Sequence, residues 1–317
     1  MERRRLLGAG LGALAVSWAG LSSAMASQPH PLSSRDVAAA RQMFAMGDYS
    51  RLRSMLPVLL VGAQDAAATG PVGAGRATGV LVLAAQLAVK EGRVPAAGEF
   101  ARAAGAMARR SGRPVLLAGA ARAAATPLRR TGRGDEALGL LAEARTHLAG
   151  IARPPAAVLD AAGMVDLTAA YTAAQAGQPS LAVEFATQAE ETAARLECRP
   201  ATEAARRELS AAQCTLYRVG IHREVGDVDT ALAYATGLET AVLPTAERRA
   251  RAATDIARTL LAADDVQGAF LRLRQLEEAA PQEASRPSVR TLIAEAAVRR
   301  PDLPGLAEFA CRTGVPA

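Results

Sequence analysis

The residues best suited to catalysis or metal binding are three histidines and three cysteines, and their spacing supports neither chemistry. The histidines stand far apart and form no HExxH pattern; they are His30, His147 and His222. The cysteines lack metal-ligand spacing and are most simply small buried hydrophobic side chains; they are Cys198, Cys214 and Cys311. Because no nucleophile, base and orienting group can be combined, we expect no catalytic, metal or cofactor site. An enzyme with a site hidden between helices stays open as a minor alternative.

A turn signature, Gly-x-x-x-x-Ala-Leu, recurs along the chain at intervals of 37 to 49 residues. It is complete at 132–138 and 226–232, and looser copies begin at Gly47, Gly92, Gly177, Asp264 and Pro301. Glycine can end a helix in the left-handed conformation, and a following Asp or Ser can cap the next helix. The alanine five residues on would lie in the first turn of that helix, where a small side chain allows close packing. The signature predicts a tetratricopeptide-like α-solenoid of about six to seven antiparallel helical hairpins.

Composition also indicates an all-α fold. Hydrophobic residues make up 50% of the chain but aromatic residues only 3%, so alanine, leucine and valine supply most of the apolar surface. Alanine and leucine are strong helix formers, and no useful stretch alternates apolar and polar residues as a strand would. Lys90 is the only lysine against 36 arginines, a bias typical of a GC-rich gene.

The first 26 residues carry the pattern of an export signal. Its twin-arginine motif consists of Arg3, Arg4, Leu6 and Leu7. A weakly apolar stretch follows at 8–20, and Ala24 and Ala26 form an A-x-A cleavage site. The apolar run is short and interrupted by glycines, so no stable membrane span is expected. A linker whose arginines are solvated is the equal alternative, and the chain divides into this segment, 1–26, and a helical repeat domain, 27–317.

Positive charge is concentrated in the first half of the sequence. The net charge is +6, but residues 1–150 carry +10 and the remainder −4. Two arginine clusters flank one predicted helix and form a candidate patch for an anionic partner: Arg109, Arg110, Arg113, Arg129, Arg130 and Arg133. A helix of about 16 residues would separate the clusters by roughly 24 Å, and cations are also favoured at helix C-termini. Solvated helix caps are therefore the alternative interpretation. Direct nucleic-acid binding is not expected, because no aromatic residues are interleaved with the arginines.

The fifth predicted hairpin contains the best group of polar and aromatic residues for ligand contact. These residues are Arg207, Tyr217, Arg218 and His222. The spacings of 11 and four residues place the two arginines and the histidine on roughly one helical face. Packing of the two rings between helices, with solvated arginines, is the structural alternative.

The second half of the chain resembles the repeat region of actinobacterial helix-turn-helix regulators of the XRE type. The resemblance rests on LYRVGIH at 216–222, LPTAERRAR at 243–251, TDIAR at 254–258, AAPQE at 279–283 and RPSVR at 286–290. It covers about residues 205–317 and implies a sensor or scaffold module without known catalytic or ligand-binding positions. Those regulators carry a DNA-binding domain before the repeats, and its absence here makes direct DNA binding unexpected. The segment at 1–26 is similar to the linker of such cytoplasmic proteins.

Three functions follow as hypotheses. The first is a non-enzymatic, regulator-like repeat protein in the cytoplasm whose concave groove binds a peptide, a protein partner or a small ligand. The second is a repeat adaptor exported by the twin-arginine pathway, and the third is the enzyme with a hidden interhelical site.

Overall fold

A computed structural model describes residues 31–199 and 207–315 of this chain. The predicted export motif and its linker alternative, at 1–26, lie outside these residues. The described residues form fifteen α-helices and one short 3-10 helix, Thr240–Val242, and contain no strand. The chain is therefore an all-α protein, as predicted.

The helices follow one another with short connections. They are α1 (Ser34–Ala45), α2 (Tyr49–Ala68), α3 (Pro71–Lys90), α4 (Val94–Ser111), α5 (Pro114–Arg130), α6 (Gly134–Ala149), α7 (Ala156–Gln175), α8 (Pro179–Glu197), α9 (Ala211–Glu224), α10 (Val228–Gly237), α11 (Ala246–Ala262), α12 (Val266–Ala279), α13 (Pro281–Ala284), α14 (Pro287–Arg299) and α15 (Leu306–Arg312). The described chain forms seven hairpins, α1 with α2 through α11 with α12 and then α14 with α15, which confirms the tetratricopeptide-like solenoid.

Six of these hairpins turn in the same way. The turn residue has a left-handed backbone, with φ of 71° to 84° at the five glycines and 62° at Asp264, the only non-glycine residue with positive φ in the described chain. The next N–H then donates to a carbonyl five residues back, as Arg93 N does to Ala88 O at 2.8 Å. This is the helix-ending motif that the signature predicts.

The second helix of each hairpin begins as the signature predicts. Asp48, Asp227 and Asp265 cap their helices by accepting a backbone N–H three residues on, at 2.8 to 3.2 Å. The signature alanines that follow are completely buried: Ala97, Ala137, Ala182, Ala231 and Ala269. Because an alanine leaves little side chain between the helices, each pair can approach closely.

The array closes on itself. The first helices of successive hairpins contact one another in order, α1, α3, α5, α7, α9 and α11, and α11 contacts α1 again. We call the place where the two ends of the array meet the seam. There, a Cβ placed on Gly47 would lie 2.9 Å from the Cβ of Ala280, and one on Gly92 would lie 3.3 Å from Cγ of Pro287. The first helices therefore surround an interior, whereas the sequence predicts an open concave groove.

Helix α3 shows why an apolar helix here does not indicate a membrane span. It is the one described helix long and apolar enough to cross a bilayer, with a mean hydropathy of 1.5. Two-thirds of that apolar stretch is buried inside the fold, and Leu81 and Leu87 are fully enclosed. Its composition is explained by packing in the core.

Substituting the turn glycines should reveal the seam. Gly132→Ala adds a methyl group to a left-handed residue with nothing within 4 Å, and should cost about 1 to 2 kcal/mol of unfolding free energy. Gly47→Ala also adds a methyl group to a left-handed residue, and this methyl group would collide with Ala280. We therefore expect a further loss of about 1 to 3 kcal/mol of unfolding free energy. Urea denaturation of the two variants measures the difference. Equal costs would show that the two ends do not meet in solution.

Candidate interior site

A buried ion cluster joins the two ends of the array. Lys90, the last residue of α3, places its Nζ 2.6 Å from Oε1 of Glu247 on α11 and 2.6 Å from Oε1 of Glu283 on α13. All three residues are buried, and Glu283 is completely inaccessible. The Tyr49 hydroxyl and the Arg286 guanidinium also donate to Glu283. One set of charges is thus shared by four helices and one turn segment. Two of its members, Lys90 and Glu283, lie more than 190 residues apart in sequence.

The ionisation of this cluster is fixed by its lysine. Burial raises the pKa of Glu247 and Glu283, but the Lys90 ammonium and neighbouring guanidiniums outweigh burial and lower both pKa values below the ordinary range. Burial and the two carboxylates raise the pKa of the Tyr49 hydroxyl, which stays protonated and donates. Lys90 also lies 5.6 Å from the ring centroids of Phe44 and Tyr49. The cluster is therefore one ammonium shared by two carboxylates.

A second network connects α5 to α11 through the segment that precedes α9. Glu208 accepts from Arg122 Nη2 at 3.0 Å and from Arg248 Nη2 at 3.2 Å. The Arg122 guanidinium is the main cause that lowers the pKa of Glu208, to about 2. The Glu208 side chain is nevertheless 51% exposed, so solvent reaches this part of the interior.

Tyr217 on α9 lies in a strongly positive field. The Arg251 guanidinium stacks 4.6 Å from the ring centroid and donates to the hydroxyl at 3.3 Å. Burial raises the pKa of Tyr217, but Arg251, Arg122 and Arg248 outweigh burial and lower the pKa to about 7. The interior thus favours a negative charge at a group that is neutral in water.

Three arginines form what we name the arginine face: Arg130, Arg258 and Arg286. Arg129, beside Arg130 on α5, instead donates to the hydroxyls of Thr126 and Thr172 and lies over the Tyr171 ring, 5.2 Å from its centroid. Arg258 pairs with Asp255 at 3.1 Å, whereas the buried Nε of Arg286 has no hydrogen-bond partner.

Arg130 is the exceptional member of the arginine face. It forms no hydrogen bond or ion pair with any residue between 31 and 199 or between 207 and 315. Burial lowers its pKa, and the positive charges of Arg286 and Arg258 lower it further. An exposed cation surrounded by cations is an arrangement that a negatively charged group would stabilise.

The structure separates the six arginines of the predicted patch. Helix α5 lies between the two clusters, and Arg109 makes two hydrogen bonds to Glu143, at 3.0 and 3.1 Å. Arg110 donates to the carbonyl of Ala67, Arg113 precedes α5, and Arg133 pairs with Glu136. Only Arg130 joins the arginine face, together with two arginines from the second half of the chain.

The predicted ligand group in the fifth hairpin does not share one helical face. Arg207 lies before α9 and donates to the Leu196 carbonyl at 2.6 Å, because the helix begins only at Ala211. Arg218 turns to α8, where it binds Glu190, and His222 approaches Asp227 and stacks on Tyr234. Tyr217 instead contacts Arg251 on α11. A ligand-binding role for these residues stays a prediction.

Several interior residues that the sequence analysis missed lie on α11. Its charged residues are Glu247, Arg248, Arg249, Arg251, Asp255 and Arg258. All but Arg249 fall on one side of an alanine-rich helix, a pattern that ordinarily marks a solvated face. No residue from 246 to 261 is exposed, because the other sides of α11 pack against α12 and against α9 with α10. The sequence holds no signal that distinguishes this helix from one on the surface.

Two of the three cysteines are placed differently from the prediction. Cys214 is buried, and burial raises the pKa of its thiol to about 12. Cys198 and Cys311 are exposed, so the expectation of three buried cysteines is wrong for two of them. Among the residues that the structure describes, no group of three or more His, Cys, Asp or Glu could hold a metal ion.

Comparisons with known proteins identify similar folds only. No protein-family model matches the chain, and no curated protein matches it. Fifteen chains of solved structures match. BtubC (BKLC) from P. vanneervenii has 20% identity and a TM-score of 0.48, covering 73% of this chain and 90% of its own. The TPR-like repeats of a putative kinesin light chain from Podosopora anserina have 18% identity and a TM-score of 0.41, and the match covers 63% of this chain and 94% of theirs. A chain of the APC/C hetero-tetramer Cut9-Hcn1 has 11% identity and a TM-score of 0.42, and the match covers 95% of this chain and 59% of that chain.

Removing the shared ammonium group should destabilise the fold. Lys90→Met leaves two buried carboxylates without their main counter-charge, and we expect a loss of about 3 to 5 kcal/mol in unfolding free energy. Adding Glu247→Gln and Glu283→Gln should recover most of that loss, because the buried negative charge disappears. Urea denaturation measures all three changes. The control is Arg93→Gln, which breaks a pair whose arginine side chain is 53% exposed and should cost less than about 1 kcal/mol.

The positive field at Tyr217 can be measured by ultraviolet titration. Tyrosinate absorbs near 295 nm, and we expect one ionisation near pH 7 that Tyr217→Phe removes. Tyr171→Phe should keep it, because burial raises the pKa of Tyr171 to about 12. Since the folded pKa lies below the ordinary value of about 10, this group stabilises the fold increasingly from pH 7 to pH 10 and loses that contribution as pH falls through 7. A wild-type titration with no step below pH 9 would contradict the assignment.

Proposed function

We propose that this chain is a non-enzymatic tetratricopeptide-like repeat protein that binds an acidic segment of a partner protein at its arginine face. The observation that carries the proposal is Arg130, an exposed cation without an acidic partner in the described chain, next to Arg258 and Arg286. Glutamate or aspartate side chains of a partner would supply the missing negative charge. Guanidiniums suit this role, because each can hold a carboxylate with two parallel hydrogen bonds.

The distribution of free donors supports binding at this face. Arg258 donates from one terminal nitrogen to Asp255, and Arg286 donates from one terminal nitrogen to Glu283, so each keeps a second terminal nitrogen. Arg130 contributes its whole guanidinium. An acidic chain could therefore add carboxylates without displacing an internal ion pair.

The state of the other ionisable groups supports a binding role over a catalytic one. Glu247 and Glu283 share Lys90, and Glu208 bridges Arg122 and Arg248. Groups held in mutual ion pairs far from neutral pKa values are poor proton donors or acceptors at neutral pH. Tyr217, whose pKa is near 7, and Asp166, whose pKa burial raises to about 6, are exceptions, and both side chains are buried.

We further propose a regulator-like role in the cytoplasm, supported by the resemblance of residues 205–317 to XRE-type regulators, a stretch that includes Arg258 and Arg286. The export pattern at 1–26 supports the alternative of an exported adaptor. The mass of the native N-terminus distinguishes the two. A chain that begins at Ser27 would establish export, and a chain that retains Met1 would support the cytoplasmic role.

Binding of an acidic chain can be tested with a fluorescein-labelled oligoglutamate peptide. Fluorescence anisotropy should show binding that weakens with added salt, and Arg130→Gln should weaken it roughly tenfold through the loss of a charge-assisted contact. The same variant should be at least as stable as the wild type, because it removes a repelling charge. Loss of binding without loss of stability is the expected signature of a binding residue.

The matched control for this test is Arg133→Gln, three residues further along and paired with Glu136. It should change peptide affinity less than twofold. Unchanged binding by Arg130→Gln, or equal binding of an oligolysine peptide, would disprove the proposal.

A further inference from the structure

A cavity, half open to solvent, lies in the seam between the two ends of the array and shares Arg286 with the arginine face. Its volume is about 410 Å³, within the range of small-molecule sites. One wall comes from the start of α2 and the end of α3, with Ser50, Arg53 and Lys90. The opposite wall comes from the α13–α14 region, with Gln282, Ser285 and Arg286. A molecule in this cavity would touch both ends of the chain at once.

The hydrogen-bond acceptors of the cavity are already in use. The two carboxylate oxygens of Glu91 accept from Arg53 and from Arg93, each at 2.6 to 2.7 Å. Oε1 of Gln282 accepts from both the backbone N and the hydroxyl of Ser50, at 2.8 and 3.0 Å. The Tyr49 hydroxyl is directed to Glu283. The walls therefore offer a ligand few free acceptors.

Free donors remain on both walls. Arg53 uses only its Nε and Arg286 only its Nη1, so terminal nitrogens of both guanidiniums are available to a ligand. The Ser285 hydroxyl forms no hydrogen bond with the described part of the chain. Because donors outnumber acceptors, the complementary ligand is one rich in oxygen acceptors.

We propose that the seam cavity binds a small oxyanion, a carboxylate or phosphate group of a metabolite, and that this ligand holds the two ends of the array together. Arg53 and Arg286 bind its charged oxygens from opposite walls, and Ser285 donates at the mouth. Since both walls exist only when the ends meet, the ligand binds the closed array and stabilises closure by mass action. The ligand thereby controls whether the two ends of the array stay together.

The test uses the full chain with succinate, citrate, inorganic phosphate and glycerol phosphate, each at constant ionic strength set with sodium chloride. Thermal unfolding and isothermal titration should show saturable binding by one of the two chemical groups, and comparison of the carboxylates with the phosphates identifies which. Hydrogen exchange should slow at 49–54 and at 281–290 in the presence of that ligand. Stabilisation equal to that of sodium chloride alone would overturn the proposal.

Two arginines that share one acidic partner provide a matched pair of variants. Arg53 and Arg93 both bind Glu91, but only Arg53 lines the cavity. Arg53→Gln should weaken oxyanion affinity roughly tenfold and abolish the ligand-dependent protection at 281–290, whereas Arg93→Gln should change affinity less than twofold. Equal effects of the two variants would overturn the proposal.

A third variant separates this site from the arginine face. Arg130→Gln should leave oxyanion affinity within twofold of the wild type while it weakens the oligoglutamate peptide. Loss of small-oxyanion binding in Arg130→Gln with retention in Arg53→Gln would place the ligand outside the seam and overturn the assignment.

Discussion

The rest of the structure depends on one ammonium group that two buried carboxylates share. Lys90 ends the first helix of the second hairpin, while Glu247 and Glu283 belong to the sixth hairpin and the segment after it. Each carboxylate would be costly to bury alone, so the three groups are stable only together. The ion cluster thereby specifies that the two ends of the array meet, and it converts an open solenoid into a closed one.

Closure changes what the inner surface can do. In an open array the first helices present a groove along which an extended peptide can lie. Here the same helices surround an interior filled by ion pairs, such as Glu208 between Arg122 and Arg248. Unmatched charges are left at the arginine face and in the seam cavity, and both binding proposals rest on them. The proposed recognition depends on unpaired donors more than on the shape of a groove.

The repeat architecture was readable because it rests on local chemistry. A left-handed turn followed by an Asp cap involves residues a few positions apart, so Gly226 and Asp227 reveal it directly. Asp264 occupies the position that glycine takes in the other turns, with φ of 62°, and the spacing of the repeats still predicts a turn there. The sites were not readable in this way. Arg207 was assigned to a helical face by spacing, but the helix begins four residues later, at Ala211.

The sequence by itself determined the all-α class, the turns and the small residues between paired helices, because each depends on contacts within one hairpin. Only the tertiary structure decided which charged residues face inward. The stripe of charged residues on α11 has the pattern of a solvated surface. Lys90 is the only lysine beside 36 arginines, and composition alone explains that ratio by codon bias. Their roles arise from contacts between different hairpins, 34 residues apart for Arg251 with Tyr217 and 157 apart for Lys90 with Glu247, and no local pattern predicts such contacts.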